Sequence, residues 1–206
     1  MFTVVLAFYI VFAWQLGADI GSSADTESNA LIDAYRQAQY MPEPDRSAVQ
    51  AQLRSYAARV SDTEWGLLAQ GEADPRTAEI IATVRDDFAA LPVTDTVSQY
   101  TRENGLSDMR VVDENHRSRV DLATSSDPFN DVLLGATIVA AVLMVAFPLL
   151  VGISARPTNL AVLGMLAFMV GTTIFLSIQL THPLDGLFGV GPDAFGEALD
   201  QMQPAQ

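Results

Sequence analysis

The chain has 206 residues, half of them hydrophobic, and a net charge of −14 at pH 7. So acidic a chain lacks the basic face that displaces counterions from phosphates, which argues against nucleic acid as a partner. Cysteine is absent, so disulfides and thiolate chemistry are excluded, and all 11 basic residues are arginine.

The first predicted element is residues 1–18, MFTVVLAFYIVFAWQLGA, which carry no charged side chain. The alternative, a secretory signal, would start with a basic stretch and end at a small-residue cleavage site, and neither fits this segment well. Trp14 and Gln15 stand where a helix would reach the interface, so the segment reads as a transmembrane helix. From Asp19 to Asp131 there are 21 acidic residues and 10 arginines, which marks 19–131 as an acidic helical domain, soluble in character.

Within that domain Leu31, Ile32 and Tyr35 recur at helical spacing, so the first helix is expected to continue to Tyr40 and stop at Met41-Pro42-Glu43-Pro44. Asp45 is the expected N-cap of a second helix with Val49, Leu53, Tyr56 and Val60 on its apolar face. Ser61 or Asp62 is expected to cap a short third helix through Trp65 and Leu68, closed by Gly71. Asp74-Pro75 suits the start of a fourth helix carrying Ile80, Ile81, Val84 and Phe88 until Pro92. Thr94 or Asp95 then caps a long polar helix striped by Val97, Tyr100, Leu106, Met109 and Val112 and weakened near Asn104-Gly105. No segment alternates as a strand bounded by hairpin turns would.

Two runs without any Asp, Glu, Lys, Arg or His follow, Val132 to Ala155 and Thr158 to Thr181. At about 1.5 Å per residue each would extend roughly 36 Å as a helix, against roughly 30 Å of hydrocarbon. Residues 132–155 and 158–181 are therefore expected to be transmembrane helices, with 182–206 an acidic tail. The expected fold class is all-α: a multi-pass helical membrane protein, about three transmembrane helices flanking a soluble helical domain, with the lipid bilayer as partner. Three spans put the acidic domain and the tail on one side. Arg156 in the short hairpin votes against Arg117 and Arg119 on which side that is, so the orientation stays open.

Chemistry-bearing motifs are sparse. His116 and His182 are the only histidines, and no HExxH, aspartate-rich loop, GxSxG or phosphate-binding loop accompanies them, so no metal, no cofactor and no enzyme activity is expected. Asp33 and Arg36 read as a helix-surface pair worth a few tenths of a kcal/mol. In the apolar runs, Thr137, Thr172, Thr173, Ser177, Gln179, Gly135, Gly164 and Gly171 suit helix packing first and a pore second.

The order of features resembles the bacterial bestrophin-like membrane proteins, a family defined by a domain of unknown function. The resemblance rests on the span ending in Trp14-Gln15, then Asn29-Ala30-Leu31 with Asp33, Tyr35 and Arg36, then Leu53-Arg54-Ser55-Tyr56, then Glu64-Trp65. It continues through Arg117-Ser118-Arg119, the two closing runs and HPLDGLFGVGPDAF from His182-Pro183 to Phe195. It implies kinship with oligomeric anion channels, and hence a homo-oligomeric ion channel or transport component. The alternative is a non-conducting scaffold or sensor whose acidic domain binds a protein partner. It also implies that the family's first membrane helix is missing here. Asn29, Asp33, Tyr35, Arg36, Glu64, Trp65, Arg117, His182 and Pro183 are its motif residues, their role left open between structure and function.

Overall fold

The computed structural model describes residues 2–124, 128–150, 157–180, 184 and 189–203. Among these every regular element is helical. The chain divides into two compact units, one made of residues 1–16 and 126–189, the other of 17–125 and 190–206.

The first unit holds the start of helix α1 (Phe2–Ala38) together with α6 (Pro128–Leu150) and α7 (Pro157–Leu180). Helices α6 and α7 pack against each other, and among their described side chains Thr137, Ala141 and Val170 are buried. Pro148 lies inside α6. Among the described residues nothing lies within 4 Å of where a Cβ would stand on Gly135, Gly164 or Gly171. Among the described residues no helix is long and apolar enough to cross a membrane. The charge-free runs extend beyond that set: residues 151–155 and 181 lie outside the described residues, as do the side chains of Ser177 and Gln179.

The second unit contains the rest of α1 with α2 (Asp45–Arg59), α3 (Trp65–Leu68), α4 (Pro75–Ala90), α5 (Thr96–Thr124) and α8 (Asp193–Gln201). Its core is assembled from one stripe per helix. On α1 the buried positions Ile20, Ala24, Glu27, Leu31, Ala34 and Ala38 recur every three or four residues. On α5 the same spacing selects Thr101, Gly105, Met109, Val112, His116 and Arg119. Val97 and Tyr100, expected on that stripe, are exposed. The stripe passes through Gly105 without a break because the Phe88 ring of α4 occupies the space where a side chain would be, its Cδ1 only 2.3 Å from a would-be Cβ.

Local chemistry explains most boundaries. Asp74 caps α4 by accepting from the Arg76 N–H at 3.0 Å, with Pro75 in the first turn. Asp95 caps α5 through the Ser98 N–H at 2.7 Å, and the Ser98 hydroxyl accepts from the Asp95 N–H at 3.0 Å in return. Gly71, at φ +79°, ends α3, where the Glu72 N–H reaches Leu67 O and the Gly71 N–H reaches Leu68 O, both at 3.0 Å. One expectation is corrected: neither Ser61 nor Asp62 starts a new helix. Instead α2 widens into a π turn, Val60–Glu64, in which the Trp65 N–H reaches Val60 O, and continues directly into α3. The N-cap position of α2 is Pro44, not Asp45, and it offers no capping side chain. Residues of the expected acidic tail form α8, which buries Phe195 and Ala198, and Met202 just after it is buried as well.

Candidate functional site

The core of the second unit encloses a charged cluster. Arg119, on α5, is fully buried. Burying a guanidinium is expensive unless carboxylates neutralise it and satisfy its donors. Here Nε donates to Glu27 Oε2 at 3.1 Å, and Nη2 donates to Glu27 Oε1 at 3.2 Å and to Glu64 Oε2 at 2.9 Å. Both glutamates are also fully buried. Glu27 stands on the buried stripe of α1, and the π turn supplies Glu64.

Two hydroxyls add further hydrogen bonds to the carboxylates. The Tyr56 hydroxyl, from α2, donates to Glu27 Oε1, and Thr77, in the first turn of α4, donates to Glu64 Oε1 at 2.7 Å. Burial, and then the adjacent Glu27 charge, pushes the Tyr56 phenol well above its ordinary pKa, so it remains an O–H donor. Burial alone would lower the pKa of Arg119, but the charge and hydrogen bonds of Glu27 outweigh it and raise it above its ordinary value. The faces of the guanidinium are covered by aromatic rings, with the Trp65 centroid 5.3 Å and the Phe195 centroid 5.4 Å from its central carbon. Trp65 is held by its own Nε1–H, which donates to Val190 O at 3.0 Å. Arg119 Nη1 is buried without a hydrogen-bond partner among the described residues.

His116 completes the cluster, its Nδ1 lying 3.2 Å from Tyr56 Oη, 3.3 Å from Arg119 Nη2 and 3.8 Å from Glu64 Oε2. The eight residues Glu27, Tyr56, Glu64, Trp65, Thr77, His116, Arg119 and Phe195 thus include at least one from every helix of the unit. Just outside, Arg59 pairs with Asp74, tying the end of α2 to the cap of α4. Burial works against the Asp74 charge, but the hydrogen bond from Arg59 and that from the Arg76 N–H hold its carboxyl below the usual range.

The motif residues read from sequence are divided by this geometry. Glu64 and Trp65 belong to the cluster. Tyr35 is buried elsewhere, with the Arg54 guanidinium 5.9 Å from its ring. Asn29 is exposed and donates to Asp25 O at 2.8 Å. Asp33 and Arg36 form the expected surface pair at 3.2 Å, and Arg117 points outward to Asp113 at 2.8 Å. His182 and Pro183 lie outside the described residues. Glu27, the first partner of Arg119, carried no sequence signal beyond its place on the α1 stripe. His116 and Arg119 could have been found by extending the Met109–Val112 stripe four and then three residues further.

Chemically the cluster joins two carboxylates, a guanidinium, an imidazole and the hydroxyls of Tyr56 and Thr77, each hydroxyl donating to a carboxylate. Among the described residues no group of three or more His, Asp or Glu could hold a metal ion. It is an electrostatic fastening with the His116 imidazole at its edge.

The family model described as Bestrophin-like domain matches residues 1–195, and the chain belongs to that family. No curated protein and no solved structure matches it.

Proposed function

We propose that this Bestrophin-like chain is a multi-pass protein of the cell membrane that acts as an ion channel or transport component, not as an enzyme, and assembles as a homo-oligomer. In this reading the first unit lies in the bilayer and the second is the domain outside it. The carrying observation is the surface of α6 and α7. Val132 is 67% exposed, Phe147 65%, Met165 68% and Phe168 74%, with Val139, Val142, Leu143, Val162 and Met169 close behind. Leaving such side chains in water forfeits about 1.5–3 kcal/mol each, and contiguous patches of this kind belong against lipid or other apolar surfaces. The two charge-free runs of the sequence, 132–155 and 158–181, support the same reading.

The test has two steps. The protein should resist extraction from membranes at alkaline pH, and liposomes containing the purified oligomer should pass anions or cations. A protein released by alkali would sink the membrane reading. An oligomer that conducts nothing across pH and calcium concentrations would sink the channel.

A second reading is favoured by the absence of ionisable side chains from both runs, since such groups are the usual mark of an ion path. In it the chain is a non-conducting scaffold or sensor whose acidic helical unit binds a protein partner. Crosslinking in cells separates the two, because capture of the chain by itself alone leaves the partner reading without support.

A further inference from the structure

The imidazole of His116 has two different surroundings. Its Nδ1 faces the buried cluster: Tyr56 from α2, Glu64 from the π turn and Arg119 from α5. Glu27 of α1 stands one hydrogen bond further away, through Tyr56 and Arg119. Nε2 has no hydrogen-bond partner among the described residues and is not sealed from solvent. The side chain keeps 7% of its surface exposed. It borders a cavity of about 200 Å³ between α4 and α5, whose wall it shares with Arg85, Asp113, Arg117 and Asp121.

Counting hydrogens decides which nitrogen carries the proton in the neutral ring. Tyr56 has one hydroxyl hydrogen, and it is directed to Glu27. Arg119 Nη2 has two hydrogens and three acceptors around it, of which Glu64 at 2.9 Å and Glu27 at 3.2 Å are charged and nearer than Nδ1 at 3.3 Å. Charge-assisted bonds are the stronger ones, so the carboxylates take both hydrogens. Nδ1 must then carry its own hydrogen and donate it to Tyr56 Oη, which leaves the Nε2 lone pair on the solvent side.

We propose that His116 is a proton-binding site that samples solvent through the α4–α5 cavity and couples its charge to the buried Glu27–Arg119–Glu64 cluster. Two carboxylates against one guanidinium leave that cluster one negative charge in excess. A hydronium ion gives its proton to the Nε2 lone pair, one N–H bond forms, and the imidazolium balances the excess. In the poorly screened interior the new charge attracts Glu64 Oε2, now 3.8 Å from Nδ1, and redistributes the donors of Arg119 against Trp65. On the cavity wall Arg117 is already neutralised by Asp113 at 2.8 Å, and Arg85 opposes the proton while Asp121 favours it.

The chain has two histidines and two tryptophans, which makes the test direct. Full-length protein carrying His182→Gln and labelled with 15N-histidine leaves His116 as the sole imidazole. Reconstituted in nanodiscs and followed by NMR from pH 8 to pH 5, its Nδ1 is expected to be protonated throughout and its Nε2 to gain one proton. A neutral ring protonated on Nε2, or no proton uptake in that interval, would overturn the site. Coupling is read separately from Trp65 emission in a Trp14→Phe background, where a one-proton step is expected in the wild-type cluster and none in His116→Gln. A step that persists in His116→Gln, or a flat response while the NMR signal titrates, overturns the coupling. Should His116→Gln fail to fold, the NMR titration and the wild-type emission decide the matter between them.

Discussion

Arg119 and Glu27 meet across 92 positions of sequence with two parallel hydrogen bonds, Nε to Oε2 at 3.1 Å and Nη2 to Oε1 at 3.2 Å, both side chains shut off from solvent. Paired charges in such a setting contribute specificity more than net stability, but removing one partner leaves the other buried and uncompensated.

Arg119→Met should therefore destabilise the second unit by about 3–5 kcal/mol, because two carboxylates lose their shared cation. Glu27→Gln in the same chain should recover part of that loss, a coupling measurable as a double-mutant cycle by denaturation of the full-length protein in detergent. A single-mutant cost below about 1 kcal/mol would contradict the cluster's role.

Asp108, on α5, has its pKa raised to about 6, first by burial and then by the Asp33 carboxylate facing it from α1. Its unfolded value is about 3.9, so the folded state holds the proton more tightly. Stability from this group is full below about pH 4 and is lost as pH rises through about 6. Asp108→Asn should then stabilise the protein above pH 6, by about 1 kcal/mol once solvent screening of a half-buried group is allowed for, and change nothing below pH 4. Thermal unfolding at pH 4 and pH 7.5 checks both arms.

Gly105→Ala places a methyl group against the Phe88 ring at 2.3 Å, and the ring is itself fully buried. The loss should be about 1–3 kcal/mol despite the better helix propensity of alanine. Phe88→Leu alone opens a cavity, so in combination with Gly105→Ala its cost should be smaller than the sum of the two. Strict additivity in the unfolding free energies would rule out the contact.

Gly71 and Gly66 form a matched pair, since both have open space around them but only Gly71 sits at φ +79°. Gly71→Ala should cost about 1 kcal/mol through backbone strain alone. Gly66→Ala, one turn earlier inside α3, should be neutral or stabilising by up to about 1 kcal/mol. Equal effects would contradict the C-terminal geometry of α3.

Much of the helical framework was legible because its determinants are local. Asp74-Pro75, Asp95, Gly71 and Pro92 each act within a few residues, through a cap, a left-handed turn or a backbone restriction, and the structure places them where their chemistry demands. The continuous α2–π–α3 segment was not legible, since Ser61 and Asp62 have the right chemistry for a cap. The structure passes through them without using it, and only the buried partners of Glu64 and Trp65 give the chain a reason to widen the turn instead of restarting it. Val97 and Tyr100 were misplaced for a related reason: periodicity finds a stripe, but nothing local says that it runs through Thr101 and Gly105, where the Phe88 ring of another helix needs room.

By itself, then, the sequence determined that the chain is helical, where most of its helices begin and end, that apolar and acidic residues are segregated along it, and which family it resembles. Each of these follows from interactions between near neighbours or from composition. Only the tertiary structure decided that Glu27, Glu64 and Arg119 are buried partners while Asp33, Arg36 and Arg117, equally charged and equally conspicuous in the chain, face solvent. A charge is stable in a core only beside its counterion, and here the counterions lie 55 and 92 residues apart, a separation that no local pattern encodes.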